Sequence, residues 1–251
     1  MTIASERSFA PSRSLAAGTR LVIVRHGEAV SNAEDLVAGH VGCRGLTERG
    51  RAQVHALGER LQRTGELEGA TALYSSVLRR AIETAEILRP YLGGVGHEAR
   101  CALCERHPGE ADGLSWTECD RRYGRRLPGE DPERPISPGG ESWIEFLDRA
   151  EQALYDVAGA HPGELVVVSA HGGIVDSSLV RFLGLPDHGG RARFFPDNAS
   201  LTEWAYTGAR WWLVRFNDAA HLDPSPLWPE GLRITAPLWV RREVPEAIGP
   251  L

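Results

Sequence analysis

Two apolar runs stand out in the hydropathy pattern of the chain. Leu21-Val22-Ile23-Val24 leads into Arg25-His26-Gly27-Glu28, and Leu165-Val166-Val167-Val168-Ser169-Ala170 leads into His171-Gly172-Gly173. Short, continuous, β-branched runs predict strands buried on both faces, as in a parallel sheet. Other segments follow helical spacing. Thr47 is placed to cap a helix whose stripe runs Val54, Leu57 and Leu61, and a second helix spans 77–88 and is stopped by Pro90. A third covers 142–160, with Trp143, Phe146, Leu147, Ala150, Leu154 and Val157 on one face, and a fourth runs over 172–182. Residues 72–75 and 98–103 predict further strands, and 201–206 with 211–216 predict a hairpin around Thr207-Gly208.

Strands alternating with helices predict a three-layer α/β/α sandwich on a mostly parallel sheet. In such sheets ligands bind at the carboxyl ends of the strands, so two His-Gly turns behind two buried strands point to one shared site. Residues 1–18 read as a tail, 19–251 as one domain, 106–141 as a lid-like insertion and 217–251 as a C-terminal extension.

Composition narrows the chemistry. The formal charge of −6 argues against nucleic acid and membrane surfaces as partners, and no apolar stretch approaches a bilayer span. All 28 basic residues are arginine, which excludes Schiff-base and Walker-type lysine chemistry and leaves arginine as the cationic side chain for anions. Without an apolar leader near the start, the expectation is a cytoplasmic protein with free thiols. Cys101-x-x-Cys104, with His107 and Cys119 close in sequence, is a weak zinc pattern; half-buried thiols at a strand end are the default, and no metal or cofactor is expected.

Arg25-His26-Gly27-Glu28-x-x-x-Asn32 resembles the signature of the histidine phosphatase superfamily, which includes the cofactor-dependent phosphoglycerate mutases. Four more segments agree in order: Leu46-Thr47-x-x-Gly50-x-x-Gln53, Ser75 through Ala85, Glu105 in Leu103-Cys104-Glu105-Arg106, and His171-Gly172-Gly173. The resemblance implies that His26 is a nucleophile forming a phosphohistidine. It implies that Arg25, Arg80, His171 and Asn32 grip the phosphoryl oxygens and that Glu105 protonates the leaving group. Such chemistry is mostly positioning and electrostatics, so arginines suffice without a metal. Arg80, which directly precedes Ala81-x-x-Thr84-Ala85, is the family arginine; Arg79 is expected to face the surface or the lid. His107 and Arg106 follow Glu105 and are expected to line the pocket.

Within the family, Glu105-Arg106-His107 resembles the mutases. The short, lysine-free insertion, Ser137-Pro138-Gly139-Gly140-Glu141-Ser142 and Asn198-Ala199-Ser200-Leu201-Thr202 resemble the phosphatases. The reading is therefore a phosphomonoester hydrolase acting on a small phosphorylated molecule. The alternatives are a phosphoglycerate mutase and a catalytically silent binding domain, the latter disfavoured by the intact residue set. Arg106, Arg121, Arg122, Arg125 and Arg126 are either a polyanion-selecting rim or a solvated one.

Overall fold

A computed structural model describes residues 18–124, 131–186 and 194–222. Six strands form one sheet: β1 (Thr19–Arg25), β2 (Ala70–Ser75), β3 (His97–Ala99), β4 (Leu165–Ala170), β5 (Leu201–Tyr206) and β6 (Trp211–Asp218). Their spatial order is β3-β2-β4-β1-β5-β6. The first four run parallel; β5 and β6 join antiparallel at one edge. The helices are α1 (Val30–Ala33), α2 (Glu48–Thr64), α3 (Arg79–Leu88), α4 (Trp116–Tyr123), α5 (Trp143–Ala160) and α6 (Gly172–Phe182).

The continuous apolar runs are explained by the layers. Leu21 and Ile23 of β1, with Val166 and Val168 of β4, face a core completed by α5 and α6. Val22, Val24, Leu165 and Val167 point the other way, into a core with α2 and α3. A strand covered on both sides has no polar face to display. Trp204 is fully buried in the first core, and Trp211 stacks on Phe182 with ring centroids 4.0 Å apart, so these two tryptophans serve packing.

The helix starts follow ordinary capping chemistry. The Thr47 hydroxyl accepts the Gly50 N–H, and Ser142 forms a capping box with Glu145 at the start of α5. Helix α3 begins at Arg79, two residues later than expected, and a 3-10 turn over Arg89–Leu92, with Pro90 in it, follows its end.

Two expectations change. The strand expected over 98–103 is only His97–Ala99, and Cys101–Leu103 form a 3-10 turn. β3 is an edge strand whose one neighbour, β2, ends at Ser75 opposite Ala99, so residues beyond it have no ladder to join. The insertion is not wholly irregular. It holds α4, capped by Ser115, and packs Ala111 and Cys119 against Val37. Eight residues with few apolar positions gave too short a period to announce this helix. Most of the C-terminal extension, the first 17 residues, and Arg125 and Arg126 lie outside the described residues.

Candidate active site

The sheet register brings the two histidines together. β1 and β4 are parallel neighbours with Arg25 opposite Ala170, so the next residues on each strand, His26 and His171, emerge side by side. Their ring centroids are 5.2 Å apart. The turns need glycine for closeness: a Cβ on Gly27 would lie 2.4 Å from the Gly50 carbonyl oxygen, which brings the start of α2 against the His26 turn.

Arg80 enters from the first turn of α3 and lies between the two rings. Its Nε–H is shared between His26 Nε2 at 3.1 Å and His171 Nδ1 at 3.2 Å, and one terminal nitrogen donates to the Ala38 carbonyl at 3.0 Å. A guanidinium only donates, so both ring nitrogens facing it carry lone pairs. The protons then sit on the opposite nitrogens. His26 Nδ1 donates to the Gly27 carbonyl at 2.7 Å, and His171 Nε2 donates to Ser76 Oγ at 2.7 Å. Burial, reinforced by Arg80, holds both imidazoles well below the usual histidine range. Both are neutral at neutral pH.

Arg25 is the second buried cation. Burial lowers its pKa to about 10. One terminal nitrogen donates to the Pro196 carbonyl, while its buried Nε has no hydrogen-bond partner among the described residues. A desolvated guanidinium with an unmet N–H is a site that an anion would complete. The Asn32 side-chain oxygen accepts the Ala29 N–H at 2.9 Å, which commits that oxygen and makes the NH2 end the group available for a ligand. Asn198 donates to the His26 carbonyl at 3.0 Å and so tethers β5's approach to the turn.

Glu105 reaches this group from the far side. Its carboxylate accepts the Gly173 N–H at 2.9 Å and the Arg106 N–H at 3.0 Å. A Cβ on Gly173 would fall 2.0 Å from Glu105 Oε1, so the second glycine of His171-Gly172-Gly173 is what admits the carboxyl. The turn carrying Glu105 is held by Arg149 of α5. Arg149 donates to the carbonyls of Ala102, Cys104 and Glu105 and pairs with Glu141 at 2.7 Å. Glu141 in turn accepts the His107 N–H. Sequence reasoning missed Gly173, Arg149, Ser76 and Asn198 as site residues. Gly173, Ser76 and Asn198 stand in segments that carried the resemblance, whereas Arg149 had no such signal.

Arg25, His26, Asn32, Arg80, Glu105 and Arg106 all line one cavity of about 280 Å³. His171 does not line it: its ring is completely buried behind Arg80, which occupies the space between the histidines. His107 does not line it either. Its backbone is pinned to Glu141, and its ring turns toward His40 and Cys101. Arg121 and Arg122 are exposed and pair with Glu118 on their own helix, away from the cavity. Arg79 is exposed and pairs with Glu83, as expected. Beyond the phosphate-sized end the walls are apolar, with Trp116, Ile136, Trp143, Phe194 and Phe195, and two carboxylates, Asp120 and Asp176. Cys119 is buried in the insertion and takes no part near Cys101 and Cys104.

Comparison with known proteins agrees with this geometry. The sequence profile of the histidine phosphatase superfamily (branch 1) matches residues 21–219. The chain is 30% identical over 214 residues to phosphoglycerate mutase-like protein 4 of Arabidopsis thaliana, covering 84% of this chain and 90% of that one. It is 31% identical over 218 residues to the metal-independent phosphoserine phosphatase of the same plant, covering 81% and 83%. Among solved structures, Bacillus stearothermophilus YhfR superposes with a TM-score of 0.72 at 26% identity, over 82% of this chain and all of that one. A mycobacterial glucosyl-3-phosphoglycerate phosphatase in complex with VO3 superposes with a TM-score of 0.67 at 28% identity, over 79% and 99%. By fold, by motif order and by these matches, the chain belongs to the histidine phosphatase superfamily, branch 1, and is a phosphatase of that family.

Proposed function

We propose that the protein hydrolyses a phosphomonoester through a phosphohistidine on His26, with its own arginines rather than a metal ion balancing the charge. The observation that carries this reading is the tautomer of His26. With Nδ1–H held by Gly27, the Nε2 lone pair faces the Arg80 guanidinium at the cavity floor. A bound phosphate would compete for the Arg80 N–H groups and meet the Arg25 Nε, which has no partner among the described residues, with Asn32 as a neutral donor. Nε2 then attacks phosphorus as the ester P–O bond breaks, and Glu105 in its acid form gives its proton to the leaving oxygen. In the second half, Glu105 takes a proton from water, whose oxygen attacks the phosphohistidine and frees His26 and inorganic phosphate. His171, neutral and behind Arg80, orients that arginine through Nδ1 and, when Arg80 yields to phosphate, presents the same nitrogen to the site.

The organic part of the substrate meets tryptophan and phenylalanine walls and two carboxylates. That lining, in which Arg106 stands with the two carboxylates among aromatic walls, favours a partly apolar organic group. The test is rapid acid or alkaline quench with a radiolabelled aryl phosphate in the presence of chelator. We expect an acid-labile, alkali-stable phosphoprotein in the native chain and none in His26→Ala. Equal turnover by the two proteins would refute the assignment, and conversion of 3- to 2-phosphoglycerate outpacing hydrolysis would favour the mutase.

A further inference from the structure

Four metal-ligating side chains converge beside the site without any part in the chemistry above. His40, Cys101, Cys104 and His107 place one ligand atom each within 4.8 Å of all the others. Cys101 Sγ lies 3.7 Å from His40 Nε2 and 3.6 Å from His107 Nε2. A tetrahedral zinc with Zn–S of about 2.3 Å and Zn–N of about 2.05 Å requires sulfur-to-nitrogen edges of about 3.6 Å. The two edges therefore already have the length a shared ion imposes.

The ligands are also held in place. The Asp112 carboxylate accepts the N–H groups of Gly39, Val41 and Gly42, each at 2.8 Å, so the loop carrying His40 is clamped on both sides of the histidine. A Cβ on Gly39 would lie 2.7 Å from that carboxylate, so the loop is built for this approach. Arg149 fixes the carbonyls of Ala102 and Cys104. His107 directs Nε2 at the cluster, while its Nδ1 faces Glu141 at 3.8 Å, the carboxylate-behind-histidine arrangement common around bound metals.

We propose that His40, Cys101, Cys104 and His107 form a structural zinc site that ties the 38–43 loop to the turn bearing Glu105. Two thiolates and two imidazoles are a tetrahedral S2N2 set, which suits zinc. Binding releases one proton from each thiol and leaves a neutral centre. Four protein ligands leave no open position, so the ion holds structure and takes no part in phosphoryl transfer. One end of the staple is Cys104, the residue before Glu105; the other is two residues from Ala38, whose carbonyl receives Arg80.

The test uses the full chain purified under reducing conditions after growth with added zinc, and it needs no substrate, so it stands apart from the phosphatase assignment. Elemental analysis should give about one zinc per chain, and less than one-fifth of that in Cys101→Ser and in His40→Ala. Both residues are exposed, and circular dichroism would verify that the variants fold. Replacement by cobalt should give the intense visible bands of a tetrahedral, thiolate-bearing centre in the native chain only. Zinc should raise the melting temperature of the native chain by several degrees and leave Cys101→Ser unmoved. A native chain that stays zinc-free with equimolar zinc and reductant would overturn the proposal. So would an octahedral cobalt spectrum, or zinc retained in both variants.

Discussion

The two ends of the active-site cavity are built on different principles. The phosphate end hangs from the sheet: His26 and His171 follow paired strands, and the parallel register sets their separation. Buried β ladders tolerate little movement, so that end is preorganised before any ligand arrives. The outer end is made from the insertion and from the loop before β5, with Trp116, Ile136, Phe194 and Phe195 on non-strand backbone. Glu105 lies at the junction, its carboxylate held by the Gly173 N–H and its carbonyl by Arg149 of α5. On the proposed chemistry this is a division of labour: the carboxyl ends of the central strands would define the reaction, and the insertion what is allowed to react.

The comparison can be broken most sharply at Arg80. Replacing it with leucine removes the donor shared by both histidines, and kcat/KM for any phosphomonoester should fall by about a thousandfold or more. A loss confined to one substrate class would show that the cradle is not common to all of them. Next comes the junction. Glu105→Gln should slow alkyl phosphates by roughly a hundredfold or more and leave activated aryl phosphates within about tenfold, because only poor leaving groups need the proton. Uniform loss across both series would remove the acid role.

Gly173→Ala should give the same leaving-group signature more weakly, about tenfold to a hundredfold. Its Cβ displaces Glu105 without touching the arginines, so inhibition by inorganic phosphate should be unchanged. Weakened phosphate inhibition would place the damage in the cradle instead. At the outer end, Trp116→Ala should raise KM for bulky substrates by about tenfold and spare kcat, since a wall residue contributes uniform binding of about 1–2 kcal/mol.

The smallest effect concerns pH and separates the rigid end from the rest in stability. His26 and His171 are buried neutral, so below their unfolded pKa of about 6.5 the unfolded chain binds protons that the folded chain refuses. Their neutral burial is tolerated fully above that pH, and stability falls as the pH drops through it, by at most about 1.4 kcal/mol per histidine per pH unit. Urea midpoints at pH 7.5 and 5.5 measure this. Replacing His171 with asparagine should flatten the difference, and an unchanged slope would mean that the ring titrates freely in the folded state.

Much of this molecule was legible in the chain itself. The doubly buried strands declared themselves as continuous apolar runs, and Thr47 marked a helix start. The order of Arg25, His26, Arg80, Glu105 and His171 carried the family resemblance, and the structure brings these residues together. These signals are local, because hydrogen-bonding chemistry, side-chain volume and turn glycine act over a few residues. The short helix α4 escaped because a charged, eight-residue segment carries almost no period. His107 was assigned to the cavity by its closeness to Glu105 in sequence, yet on a turn two neighbours along the chain can face opposite ways.

What only the tertiary structure decided are relations between distant residues. The β1–β4 register decided that the histidines meet, and the placement of α3 decided that Arg80 lies between them with His171 hidden behind it. The approach of Glu105 decided that Gly173 has to lack a side chain. His40, more than 60 positions before Cys101, completes a ligand set that Cys101, Cys104 and His107 only began. Such contacts follow from packing, where the position of each group depends on the volume and register of every element between them, and no local pattern in the sequence encodes that sum.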